Sequence, residues 1–273
     1  MYGPDTAASD SVIQIDGREA EALLAFVTGK PVAYLRAFAD APFDDGTVAR
    51  FNDLAVRRQN GEPLAYILGS AGFYRREFFV DSRVLIPRPE TEHLVEDAIW
   101  HLQAYEAPRV LDVGTGSGAI ALTIAAEVPK ARVDAVDVSP DALIVAIANR
   151  EQLGLSKRVA FYLGDLLEPV ARKRYDTIVA NLPYVPTGDG DVDLRFEPVL
   201  ALDGGADGLD VYRRFFAAAP AALNPGGLLL AEGAPPIAAG LLALARAAFP
   251  LADVVLERDY GDRERYVKVM TPA

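Results

Sequence analysis

The stretch VLDVGTGSGAIAL, residues 110–122, decides how the rest of the chain is read. Val110, Leu111 and Val113 make a short apolar run of the kind buried in a sheet, and it stops at Gly114-Thr115-Gly116-Ser117-Gly118. A helix is expected to begin near Ala119. Such a strand, glycine loop and helix N-terminus let a ligand approach the backbone closely, and the helix end favours a carboxylate or phosphate. The glycines follow G-x-G-x-G, and Ala119 stands where a dinucleotide fingerprint has its third glycine, which argues against a nicotinamide cofactor.

Downstream the pattern repeats. The short apolar runs ARVDAVDV, RVAFYLGD, YDTIVAN, GLLLAEG, ADVVLER and ERYVKVM are separated by stretches of helical character. This alternation predicts an α/β domain over residues 91–273, with a seven-stranded, mostly parallel sheet covered by helices on both faces. The last two strands are joined only by DYGDR, too short for a crossover helix, so the last strand should be antiparallel.

Upstream, from Ser11 to about Gly69, apolar residues recur at helical spacing (Ala22, Leu23, Phe26, Val27; Val48, Phe51, Leu54, Ala55). Three or so short helices, punctuated by Pro31, Pro42 and Gly61-Glu62-Pro63, predict a small helical domain over residues 1–70. Residues 71–90 read as a β-hairpin linker. Pro87 and Pro89 then force extended backbone, and Glu90, Thr91 and Glu92 suit the first turn of a helix running to about Tyr105. On that helix Trp100 reads as a core or interdomain anchor, while His93 and His101 read as surface or packing residues and not as metal ligands.

The 273 residues can bury a substantial core. Apolar residues at 51% and charged ones at 24% fit an ordinary folded protein. A net charge of −12 opposes non-specific nucleic-acid binding. With no cysteine, a disulfide framework, a thiolate metal site and a thiol nucleophile are all excluded. No secretory signal is read at the N-terminus, and the apolar segments around 215–256 are too interrupted to span a membrane, so a cytoplasmic protein without membrane contact is expected.

Ligands of open α/β sheets bind at the carboxyl ends of the strands, so the residues there carry the chemistry. Asp137 ends the second strand, where a carboxylate can accept ribose hydroxyls. Asp165 closes the third, where its side chain and the neighbouring backbone could meet an adenine amino group. The fourth strand breaks into Asn181-Leu182-Pro183-Tyr184. Taken singly, these residues also fit a bland reading: a capping amide, a gap-filling leucine, an extended proline and a packed phenol.

The glycine loop followed by two strand-end acids resembles the class I S-adenosylmethionine-dependent methyltransferases. Residues 181–184 resemble the Asn-Pro-Pro-Tyr motif of those that act on a planar amino nitrogen, with Leu182 where the first proline usually stands. Asn-Leu-Pro-Tyr also resembles the motif of ribosomal RNA adenine dimethyltransferases, so the motif alone leaves protein and nucleic acid open as substrates.

Four further segments are similar to the release-factor glutamine N5-methyltransferases: residues 61–98, residues 196–215 (FEPVLALDGGADGLDVYRRF), LNPGGLLLAEG and RDYGDRERYV. The resemblance covers residues 16–270. It implies that the helical domain docks a peptide chain release factor and that the glutamine of its Gly-Gly-Gln loop is methylated on the side-chain amide nitrogen. S-adenosylmethionine is then the donor, S-adenosylhomocysteine the product, and no metal is needed.

By position, the resemblance assigns the donor to Gly114, Thr115, Gly116, Ser117, Gly118, Asp137, Asp165, Leu166 and Asn181. It assigns the glutamine to Asn181, Leu182, Pro183 and Tyr184. Arg88 and Pro89 match the family's Pro-Arg-Pro-Glu-Thr element near the donor, although the start of a helix explains them equally well. Glu232 matches an acid of the family's Leu-Leu-Leu-Glu-Ile-Gly element, with no role assigned. A monomer is expected. The alternatives are an amino-nitrogen methyltransferase of RNA or DNA and a non-catalytic donor-binding module.

Overall fold

The computed structural model describes residues 14–188, 195–259 and 261–273, which fall into two compact units meeting between Leu68 and Gly69. The expectations for residues 1–13 and for Tyr260 of the DYGDR connection lie outside the described residues.

Among the described residues the first unit is helical, with four helices where the spacing suggested about three: α1 (Gly17–Thr28), α2 (Val32–Ala37), α3 (Asp45–Gln59) and α4 (Leu64–Leu68). Their starts are set locally. Asp16 accepts a hydrogen bond from the Arg18 N–H at 2.8 Å to cap α1, and Asp44 does the same for Thr47 at 3.0 Å on α3. The core is small, with Leu23, Ala55 and Ile67 buried and Phe51, Leu54 and Leu64 packed around them.

The second unit opens on a hairpin, β1 (Ser70–Phe73) and β2 (Arg76–Phe79), whose turn residues Tyr74 and Arg75 both have positive φ. Left-handed backbone at both central positions gives the twist that a two-residue hairpin turn needs. Pro89–Thr91 then forms a single 3₁₀ turn leading into α5 (Glu92–Leu102), which stops three residues short of Tyr105. Trp100 is 72% exposed, so it is not a core anchor; Leu94, Val95, Ala98 and Leu102 are the residues that α5 buries.

Seven strands make the main sheet: β3 (Arg109–Val113), β4 (Arg132–Asp137), β5 (Val159–Leu163), β6 (Tyr175–Ala180), β7 (Leu223–Glu232), β8 (Asp253–Arg258) and β9 (Glu264–Met270). Their order is β5-β4-β3-β6-β7-β9-β8. The first five run parallel, and β9 is antiparallel to both of its neighbours. The short connection thus produces more than an antiparallel pair: β9 turns back and inserts between β7 and β8. Helices α6 (Ala119–Glu127), α7 (Pro140–Gln152), α8 (Asp210–Ala222) and α9 (Pro235–Ala248) follow β3, β4, β6 and β7 or precede the next strand.

Alternate strand residues enter two separate cores. Leu111, Ile178 and Leu229 join Tyr212, Phe215 and Leu241 on one face, while Val110, Val179 and Leu230 join Phe78, Leu94 and Leu122 on the other. Both faces being covered explains why the strands read as continuous apolar runs. Strand order reverses at β3, between β4 and β6, which opens the crevice at the carboxyl ends of those strands. Among the described residues, no helix is long and apolar enough to cross a membrane.

Candidate active site

The glycine loop is fixed by backbone and by one carboxylate. The N–H groups of Gly114 and Thr115 both donate to the Val136 carbonyl, at 2.9 and 3.0 Å. Asp137 accepts from the Gly116 N–H at 2.8 Å and from the Ser139 N–H at 2.9 Å, which ties the loop to the end of β4. From the other side, the buried Asn149 of α7 donates to the Ser117 carbonyl at 2.9 Å and pairs in both directions with the Phe79 backbone. Gly114 has φ +76°, and a Cβ there would lie 3.0 Å from Leu182 Cδ2. The loop after β3 and the turn after β6 are therefore in van der Waals contact.

These two segments enclose a cavity of about 200 Å³ in the second unit. Gly114, Thr115, Gly116 and Ser117 form one wall, with Asp137, Asp165 and Leu166 beside them. Asn181, Leu182 and Pro183 form another, and Arg88 reaches it as well. Leu166 sits at φ +48°, an unusual conformation for a leucine, in the bend that follows β5.

Three expected residues lie off the wall. Gly118 begins α6, where a Cβ would meet Leu122 and Ala146, so it serves helix packing. Pro89 starts the 3₁₀ turn. Tyr184 is half-buried beyond the cavity, its hydroxyl held neutral by burial and by the nearby Glu232, with Arg265 and Arg88 pulling the other way. Gly208, at φ +76°, lets the Tyr184 carbonyl pass where a side chain would stand. Asp165 reaches the cavity but is engaged in an ion pair with Arg214, itself on the wall.

Other members of the site come from two elements that the resemblance marked without giving Thr91 or Glu197 a role. Thr91, 3% exposed, lines the cavity and accepts a hydrogen bond from Asn181 Nδ2 at 3.3 Å. Glu197, from the FEP element, accepts from the Ile86 N–H at 3.0 Å and pairs with Arg88. The Pro-Arg-Pro-Glu-Thr and Phe-Glu-Pro elements are thus clamped to one another, 109 residues apart in the chain.

Leu182 brings a backbone N–H that a proline would lack. It donates to the Tyr212 hydroxyl at 3.1 Å, and that buried hydroxyl donates to the Glu232 carbonyl. Tyr212→Phe strands both backbone groups in a dry core. An expected loss on the order of 2–4 kcal/mol should appear as a lower urea midpoint with unchanged slope.

Two buried carboxyls flank the site. Burial pushes Asp112 up to about 7 against hydrogen bonds from the Thr115 hydroxyl and the Ala121 N–H, and its Oδ1 has no partner among the described residues. Glu232, 1% exposed at the end of β7, is likewise pushed up to about 7 by burial, opposed by the Thr91 hydroxyl, the Arg265 charge and the Asn181 amide. Both pKa values exceed those of the unfolded chain, so their stabilising share is complete below about pH 4 and is lost as pH rises through about 7. Asp112→Asn should flatten part of that decline in urea titrations run across this range.

Residues 93–196 match the family model "Methyltransferase small domain", and residues 8–69 match "PrmC N-terminal domain". A release factor glutamine methyltransferase from Moorella thermoacetica is 41% identical over 250 residues, spanning 90% of this chain and 88% of the relative. One from Bordetella pertussis is 43% identical over 251 residues, spanning 90% and 92%. Among solved structures, the 16S rRNA N2 G1207 methyltransferase of T. thermophilus, in complex with AdoMet and guanosine, superposes with a TM-score of 0.56 at 22% identity. It covers 74% of this chain and 49% of that one, a likeness of fold alone. With close relatives matched along nine-tenths of its length, the chain belongs to the release factor glutamine methyltransferase family.

Proposed function

We propose that this protein transfers a methyl group from S-adenosylmethionine to the side-chain amide nitrogen of the glutamine in the Gly-Gly-Gln loop of peptide chain release factors. The observation that carries the reading is the placement of Asn181 and Leu182 on the wall of the cavity that the glycine loop also lines.

The wall suits the donor. Gly114 to Ser117 offer backbone without bulk, Asp137 offers carboxylate oxygens for hydroxyl groups, and Leu166 and Asp165 stand where a heterocycle can be bordered. Bound there, the donor supplies an electrophilic methyl on a sulfonium, whose transfer disperses charge and requires no metal.

The chain's own task is to make an amide nitrogen nucleophilic. That nitrogen is poor because its lone pair is conjugated into the carbonyl. Two acceptors, the Asn181 side-chain oxygen and the Leu182 backbone carbonyl, take its two N–H bonds and so aim the lone pair. Orientation of this kind can contribute about 7–11 kcal/mol to lowering a barrier. Pro183 keeps Leu182 extended, and the Tyr184 ring offers a flat apolar face to the carboxamide. The methylated nitrogen gives its proton to water. The helical unit of residues 14–68 is the docking surface for the release factor, and the protein works as a cytoplasmic monomer.

The test is to incubate the purified protein with S-adenosylmethionine and a bacterial release factor and to read the tryptic peptide carrying the Gly-Gly-Gln loop. A gain of one methylene in mass on the glutamine is expected. Labelling of RNA with none on release factors would overturn the reading.

A further inference from the structure

Glu232 has no role in the scheme above, yet it is a buried acid, 1% exposed, set beside Asn181. It ends β7 beside the end of β6, where Ala231 pairs with Ala180, so Glu232 and Asn181 are neighbours across the sheet. The 3₁₀ turn brings in Thr91, which is also buried. Asn181 Nδ2 donates to Thr91 Oγ1 at 3.3 Å, and the Glu232 carboxyl lies against both groups. Among the described residues Glu232 Oε2 has no hydrogen-bond partner.

The direction of these bonds matters. Asn181 uses its nitrogen as donor to Thr91, whose own hydroxyl proton is then free to go to the carboxylate. A planar amide that turns its nitrogen toward Thr91 presents its oxygen on the opposite side. An ionised Glu232 accepts only, so it permits no other arrangement. A protonated Glu232 becomes a donor, and the chain can then reverse: carboxyl to Thr91, Thr91 to the amide oxygen, with Asn181 presenting its NH₂ instead. A donor would then face the N–H groups of the substrate amide.

We infer that Glu232, acting through Thr91, is a positioning residue that fixes which end of the Asn181 amide faces the glutamine, and so makes methyl transfer require its ionised form. This rests on the function proposed above and adds a residue and a pH control to it. Glu232 titrates under the influence of several groups that face it: Arg265 from β9 favours the charged form, Glu90 from the 3₁₀ turn opposes it, and the phenols of Tyr184 and Tyr212 are themselves held neutral beside it. With burial the largest influence, ionisation falls near neutrality, within the range that rate measurements can span.

The experiment is a set of rates for methylation of a release factor at saturating donor between about pH 5.5 and 9. Donor affinity is measured separately for every variant, which also reports that each has folded. For the unaltered protein, kcat should rise about tenfold per pH unit below about 7 and level off above it. Glu232→Gln keeps the shape but has no charge to enforce the direction. It should lower kcat at pH 8 by about 10–100-fold, leave KM for the release factor and donor affinity within about threefold, and remove the acid limb. Thr91→Val should lower kcat about tenfold or more, and Thr91→Ser, which keeps the hydroxyl, should recover most of it.

Glu232→Gln or Thr91→Val showing the unaltered rate and profile would overturn the positioning role while leaving the function intact. So would a Thr91→Ser variant as slow as Thr91→Val. No methylation of release factors by the unaltered protein at any pH would overturn the function, and this inference with it.

Discussion

Asn181→Ala should slow methyl transfer to a release factor roughly 10²–10³-fold at saturating substrate, the effect seen when one preorganised polar partner of a developing charge is deleted. Donor affinity should change by less than about threefold, because the glycine loop and Asp137 are held by their own hydrogen bonds to Val136, Ser139 and Asn149. The turn itself should survive. Its next residue is anchored by the Leu182 N–H on Tyr212, and Leu182, at 3% exposure, stays packed against the loop whatever side chain precedes it. Thr91 loses one donor but keeps its hydroxyl for Glu232. The expected signature is a fall in kcat with little change in donor binding, read by single-turnover kinetics and a donor titration. A rate within threefold of the unaltered protein, or a loss wholly accounted for by weaker donor binding, would remove Asn181 from the chemistry.

Gly114→Val should damage both halves of the site together. At φ +76° a side chain costs about 1–2 kcal/mol, and the added Cβ stands 3.0 Å from Leu182 Cδ2 and 3.5 Å from the Asn181 carbonyl oxygen, before the valine methyls are counted. Overpacking of that kind adds about 1–3 kcal/mol, for a total of about 2–5 kcal/mol. Part of this can be relieved by moving the loop off Val136, which opens the donor wall, and part by pushing the 181–184 turn away. At about 1.4 kcal/mol per decade, donor affinity should fall by about 10²-fold or more, with a melting temperature several degrees lower. Gly116→Ala is the control. It shares the left-handed backbone, at φ +54°, but its Cβ would meet no protein atom within 4 Å, so its melting temperature, read without donor, should show only the smaller conformational cost. Equal losses of stability from the two substitutions would mean that backbone strain, and not contact between the loop and the Asn-Leu-Pro-Tyr turn, governs this corner.

The main architecture was legible because it rests on local regularities. Apolar runs too short for helices, separated by helical stretches, could only be strands covered on both faces, and the glycine loop located the first of them. The strand ends then named Asp137, Asp165 and Asn181 without any knowledge of distances. The same local reading misled at Trp100, whose size suggested a buried anchor although α5 turns it outward to 72% exposure. It also could not place β9. Insertion between β7 and β8 is decided by which edge is free when the chain returns, and periodicity carries no record of that.

The sequence by itself determined the fold class, through spacing within each element, and the family, through separated segments that resemble its members in order; it also marked residues 181–184 as the stretch proposed to meet the substrate. Only the tertiary structure decided how that stretch is held: Thr91, Tyr212 and Glu232 come from a 3₁₀ turn, a helix and a neighbouring strand to surround residues 181 and 182. The physical reason is that hydrogen-bond direction and burial belong to pairs of groups. A threonine, a tyrosine and a glutamate acquire these roles only once strand register and helix packing have brought them against one amide.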